Sequence, residues 1–155
     1  MSEYQVAIDW ERENEDFSYQ SYSRDHLWTF PGGVRVSASA APDYQGNPSY
    51  VNPEEALVGA LSSCHMLTFL AVAARKQFVI DAYHDDATGI LEKNAEGKLA
   101  VTRVTLRPKI TFSGEKKPTA EELKILHDQA HRGCFIANSV TTKVTVESPI
   151  DPHKN

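Results

Sequence analysis

Only two of the 155 residues are cysteine, Cys64 and Cys134, and seventy positions of chain separate them. Local backbone geometry does not pair thiols so far apart, and no CxxC spacing of the zinc-ribbon kind occurs. Basic runs are missing too: 16 Lys plus Arg face 21 Asp plus Glu, a net charge of −5. That balance argues against nucleic-acid binding, which depends on neutralising phosphates. Met1 to Gln5 shows no basic segment leading into an apolar stretch, so no signal peptide is expected. No long uninterrupted apolar run occurs either. The most apolar segment, Ala56 to Ala74, is broken by Ser62, Ser63, His65 and Thr68 and reads as a buried helix, not a membrane span. No G-x-S-x-G elbow, P-loop or G-x-G-x-x-G is present. A cytoplasmic location is the expectation, where thiols stay reduced unless chemistry uses them.

What is present suits one α+β domain spanning 1–155, with a hydrophobic content of 41% and room for a single core. Phe17 to Ser23 alternates aromatic and polar residues. Leu27 to Phe30 and Val34 to Ala38 flank Pro31-Gly32-Gly33 and predict a hairpin. Asn52-Pro53-Glu54-Glu55 is a capped helix start, with proline at the first helical position. The helix is expected to run to about Lys76, with Leu57, Leu61, Cys64, Leu67, Thr68, Ala71 and Val72 on its buried stripe. Phe78 to Tyr83, Ala87 to Leu91, a long Leu99 to Phe112 and Val140 to Val146 read as strands, with a hairpin turn over Ala95 to Lys98. Pro118-Thr119-Ala120-Glu121-Glu122 is a second capping box, for a helix to about Arg132 with Leu123, Leu126 and Ala130 inward. Gly133 is placed to end that helix, and only the last few residues look disordered.

Each cysteine has two readings. Cys64, in Leu61-Ser62-Ser63-Cys64-His65-Met66, is either a small core residue or a thiolate nucleophile activated by neighbouring cations and donors. Cys134 follows a helix end, where its backbone can reposition. A thiol that attacks a peroxide O–O bond becomes a sulfenic acid, and a second thiol within reach condenses with it to a disulfide. One nucleophile and one resolver are the minimum for a thiol peroxidase, and the chain holds that minimum with no surplus. The rival use is metal: His127, His131 and Cys134, with Cys64 and His65, offer a tetrahedral zinc set. Tyr19, Tyr22, Trp28 and Phe30 are read as core aromatics in preference to pocket lining.

Asn52-Pro53-Glu54-Glu55-Ala56-Leu57 followed by Ala60-Leu61-Ser62-Ser63-Cys64 resembles the helix start and peroxidatic cysteine of the OsmC/Ohr family of thiol-dependent hydroperoxide reductases. His131-Arg132-Gly133-Cys134-Phe135-Ile136-Ala137-Asn138-Ser139 resembles that family's resolving segment, and the similarity runs from about Ser21 to Val146. The Ser62 to His65 stretch and the loop from Ser39 to Tyr44 look most like an OsmC-like branch. The resemblance implies an OsmC-like α+β fold, with antiparallel strands around two main helices in an intertwined homodimer. It also implies reduction of organic hydroperoxides, recycling by a lipoyl-type dithiol, and no cofactor or metal.

Family members polarise the thiolate with an arginine held by a glutamate. The residues so implied are Arg24, with Arg35 as second choice, and Glu54. Ten residues of continuous helix would put Glu54 about 15 Å from Cys64. Either the helix breaks near Gly59, or Glu54 serves the cysteine of a second copy packed across a two-fold axis; the second route is expected. Two other classes remain: a non-catalytic OsmC-like protein that binds a small molecule or acts in stress, and a Cys/His zinc protein.

Overall fold

The computed structural model describes residues 1–147, so the expected loose C-terminal end lies outside the described residues. The chain divides into two compact units, Met1–Ala56 and the residues from Leu57 on.

In the first unit, β1 (Ala7–Asp9), β2 (His26–Thr29) and β3 (Arg35–Ala38) form an antiparallel sheet in the order β1-β2-β3. The expected hairpin is present: Phe30 N–H donates to Val34 O across the turn, and Gly33 takes a φ of 86° that favours glycine. β1 had no sequence signal of its own. The segment from Phe17 to Ser23 is not a strand; its serines close turns instead, with Ser21 N–H and Tyr22 N–H both donating to Ser18 O. After β3, Val51 bridges Ala38 and leads to Asn52, whose side chain accepts from Glu55 N–H at 2.8 Å while Glu55 accepts from Asn52 N–H. This is the expected capping box, and α1 (Pro53–Arg75) runs from it without a break.

α1 buries Leu61, His65, Phe69 and Ala73, a strict four-residue series. The stripe expected from the sequence is therefore rotated by about one residue. Leu67 is 60% exposed, and Cys64 sits half-buried beside the stripe instead of on it. The helix is also more apolar than its interrupting polar residues suggested. Its best 18-residue window has a mean hydropathy of 1.8, enough by length and composition to cross a membrane, yet only 22% of it is buried.

From Leu57 on, α1 packs on four further strands, a fifth at the end, and a second helix. β4 (Val79–Asp85) pairs antiparallel with β7 (Pro108–Ser113). β5 (Thr88–Lys93) pairs antiparallel with β6 (Leu99–Leu106), and β8 (Lys143–Val146) joins β6 in parallel. The expected long strand over Leu99 to Phe112 is thus two strands in two sheets. Pro108 lacks the N–H a continuous ladder needs, and the Asp85 carboxylate accepts from Arg107 N–H at the switch. α2 (Ala120–Gly133) starts at the expected capping box, in which Thr119 and Glu122 each accept the other's N–H. One core cluster joins Phe69, Ala73, Phe78, Leu126 and Ala130. A second joins Leu61, Val104 and Leu106, with Ile136, Ala137 and Val140 partly buried against it.

Candidate active site

The second unit brings Cys64 and Cys134 together although seventy residues part them. Cys134 caps α2 in extended backbone and is 1% exposed; Cys64 is half-buried on α1. Both are free thiols. Burial pushes the Cys134 thiol's pKa up, and the adjacent Cys64 side chain, within hydrogen-bonding reach, pushes it further. Ala137 N–H, donating to Cys134 Sγ at 3.4 Å, opposes that rise by favouring the thiolate.

The close approach has a local cause. Gly133 is the last residue of α2, and its φ is not positive, so it does not end the helix by a left-handed turn as expected. A Cβ there would lie 3.0 Å from the methyl carbon of Thr68 on α1. The glycine is there for space. Thr68 in turn donates its hydroxyl to Cys64 O at 2.9 Å, so one side chain touches both cysteine segments.

Two histidines that the sequence suggested only as metal ligands bond each other instead. His65 Nε2 and His127 Nδ1 are 3.0 Å apart, with ring planes only 11° from parallel. His65 is 1% exposed and His127 is 5% exposed. Both pKa values are lowered to about 4, chiefly by burial, with His131 adding to the lowering at His65 and the His65 charge at His127, against opposing carboxylates at Asp85 and Asp128. The outer nitrogens, His65 Nδ1 and His127 Nε2, have no protein partner. Asp85 sits close enough to favour a charge on His65, and it accepts from Ser62 Oγ at 2.5 Å. Tyr83, next to Phe69, has a buried hydroxyl without a partner and a raised pKa. Among the described residues no group of three His, Cys, Asp or Glu converges as a metal site. The zinc set read from the sequence is therefore not assembled among the described residues: His127 bonds His65 through Nδ1, and His131 is exposed on α2.

Arg24, Arg35 and Glu54 lie in the first unit. Glu54 stands in the first turn of α1, and because the helix is unbroken it is about 15 Å from the Cys64 of its own chain. Arg35 opens β3 as an exposed residue. Arg24 donates to Tyr22 O and Tyr19 O, both at 2.5 Å, and its guanidinium lies 3.7 Å over the Tyr22 ring. Tyr22, Phe17 and Trp10 contact one another edge-on or tilted, and Trp10 Nε1 donates to Ser23 O. With Ile8 and His26 they line a mostly apolar groove of about 580 Å³ in which Arg24 is the one cation. Aromatics expected in the core therefore lie on the surface: Tyr19 is 63% exposed, and Phe30 is exposed as well.

Comparison with known proteins agrees with this architecture. The sequence profile of the OsmC-like protein family matches residues 46–148. An OsmC-like protein of unknown function from Vibrio cholerae is 48% identical, with a TM-score of 0.91 over 96% of this chain and 99% of that one. The organic hydroperoxide resistance protein OhrB of Bacillus subtilis shares the fold at 18% identity, with a TM-score of 0.68 over 95% and 98% of the two chains. An organic hydroperoxide resistance protein OsmC from Legionella pneumophila does so at 16%, with a TM-score of 0.67 over 96% and 97%. No curated protein matches the sequence. The chain belongs to the OsmC-like family, and its α+β fold is that family's fold.

Proposed function

We propose that this protein is a thiol-dependent peroxidase that reduces organic hydroperoxides, with Cys64 as nucleophile and Cys134 as resolving thiol. The observation that carries it is the contact between a half-buried and a buried free thiol, from distant parts of the chain, at the crossing of α1 and α2. The Cys64 thiolate attacks the distal oxygen of the hydroperoxide. The O–O bond breaks, the alkoxide leaves as alcohol after taking a proton, and Cys64 becomes a sulfenic acid. Cys134 sulfur then bonds to Cys64 sulfur while the hydroxyl leaves as water. An external dithiol of lipoyl type reduces the disulfide by two exchanges and is itself oxidised.

Arg24 is the assigned activating cation and Glu54 the carboxylate that holds it, by a bidentate contact. The unbroken α1 supports taking that Glu54 from a second copy of the chain, since no carboxylate spans about 15 Å along its own helix. The apolar, sparsely buried α1 supports an intertwined homodimer in which the partner covers it. The apolar groove around Arg24 favours alkyl or lipid hydroperoxides over hydrogen peroxide.

Steady-state turnover of cumene hydroperoxide with dihydrolipoamide tests this. The wild type consumes both, Cys64→Ser consumes neither, and Cys134→Ser stops after one turnover. Full activity in both cysteine variants overturns the scheme. A wild type with no turnover points instead to a non-catalytic binding role.

A further inference from the structure

Of the contacts that join α1 to α2, three fall close to the thiols. Cys64 meets Cys134, Thr68 meets Gly133, and His65 meets His127. The first is the reacting pair. The second is a close apolar approach, which limits distance but fixes no direction. Only the third is a directional bond between the helices, made by the residue next to Cys64 and by one two turns before Cys134.

We infer that His65 and His127 are positioning residues, whose mutual hydrogen bond sets the register of α1 on α2 in which Cys134 closes on Cys64. This deepens the proposed function and rests on its view of the two thiols as a closing pair. The reasoning begins from what two buried imidazoles require. With both neutral, one nitrogen of the 3.0 Å contact donates and the other accepts, so a single proton makes the bond. Their two outer nitrogens are left without protein partners, an arrangement that burial penalises. Apolar side chains of similar size would fill the space without that cost. Phe69, from the same helix as His65, already packs on His127 with ring centroids 4.5 Å apart, so packing alone does not call for a second polar ring. What the imidazoles add is a fixed angle and distance between the helices.

The same bond gives the closing step an acid limit. One added proton leaves a donor and an acceptor, but two protons make both rings donors and break the bond. The charged and titratable groups acting on the pair are His131 and Asp128 on α2 and Asp85 on β4, while Tyr83 of β4 packs on Phe69. His131 opposes a charge on His65, whereas Asp85 favours one there and Asp128 favours one on His127. Both rings are neutral at pH 7 and gain protons near pH 4. His127 and His131 line a groove of about 700 Å³ between α2 and β8, which gives protons a route from solvent.

The test uses 4,4′-dithiodipyridine, which reacts with thiols in acid. The first protein thiol displaces one thiopyridone and is left as a mixed disulfide. The second thiol then attacks that protein sulfur, closes the 64–134 disulfide and releases a second thiopyridone. The rate of the second release is the closing rate, read on full-length protein whose fold is followed by circular dichroism. His127→Leu, which removes the bond, is expected to close about tenfold more slowly at pH 7 or worse. His65→Gln keeps a side chain that bonds His127 in either protonation state. It is expected to close within about threefold of wild type at pH 7, because its amide restores the same pairing. Between pH 5 and 3.5 the wild type should fall more steeply than the loss of thiolate accounts for, and His65→Gln should not. Wild-type closing in folded His127→Leu overturns the inference, and so does the same acid steepening in His65→Gln, the deciding arm where His127→Leu does not fold. A wild type that never releases the second equivalent overturns the closing-pair reading itself, and this inference with it.

Discussion

Lowering the pH from 7.5 to 5 should cost this protein several kcal/mol of stability, through two residues alone. His65 and His127 fall from an ordinary value of 6.5 to about 4 on folding, chiefly by burial. The unfolded chain therefore binds protons that the folded chain refuses. The stabilisation is complete above pH 6.5 and is lost as pH falls toward 4. At pH 5 the loss is about 2 kcal/mol for each imidazole, and about 4 for both, a large part of a typical 5–15 kcal/mol. Carboxylates such as Glu92 and Asp128, whose pKa values are lowered by Thr102 and Lys124, lose stability only at lower pH, below their ordinary values of 4.5 and 3.8. The window from 7 to 5 thus isolates imidazoles. Urea unfolding at fixed protein concentration reads the effect, and a 4 kcal/mol loss moves the midpoint by about 2 M. His65→Gln removes one proton site and should halve the loss. A midpoint that stays flat between pH 7 and 5 would refute the claim that the pair is buried and neutral.

Two further outcomes follow from the same crossing. Gly133→Ala should lower stability by about 1 kcal/mol in urea unfolding, because its Cβ would press on the Thr68 methyl. Adding Thr68→Ser removes that methyl, keeps the hydroxyl on Cys64 O, and should recover most of the loss; no recovery would show that space is not the reason for the glycine. Asp85→Ala strips the acceptor from Ser62 Oγ and Arg107 N–H and should cost about 2 kcal/mol in the same assay, with Asp85→Asn losing less. Equal losses in the two variants would deny Asp85 its role at the β6–β7 switch.

The parts of the fold legible in the sequence were those with local chemistry. Both capping boxes, Asn52 with Glu55 and Thr119 with Glu122, start helices where short-range bonding says they should. The Pro31 to Gly33 turn set the hairpin for the same reason. Non-local choices were not legible. The break at Arg107–Pro108 depends on which sheet each half joins, and Asp85, far away in sequence, accepts the freed N–H. The register of α1 was misread by one residue because small and apolar residues surround Cys64 on every side. The series Leu61, His65, Phe69, Ala73 was available as a signal, but it put a histidine where a core residue is expected. That oddity, taken seriously, would have found the imidazole pair. Among the site residues, the two motifs singled out Cys64 and Cys134, but the approach of their side chains depends on the packing of α1 on α2 and was not legible. The roles proposed for Arg24 and Glu54 need a second copy of the chain, for which one chain's sequence holds only indirect signs.

The most direct measurement is mass spectrometry of the reduced protein after one equivalent of cumene hydroperoxide. A loss of two hydrogens, located by peptide mapping to a bond between Cys64 and Cys134, is the predicted result. Peroxide consumption without that bond, or a protein whose thiols both stay free, would contradict the account.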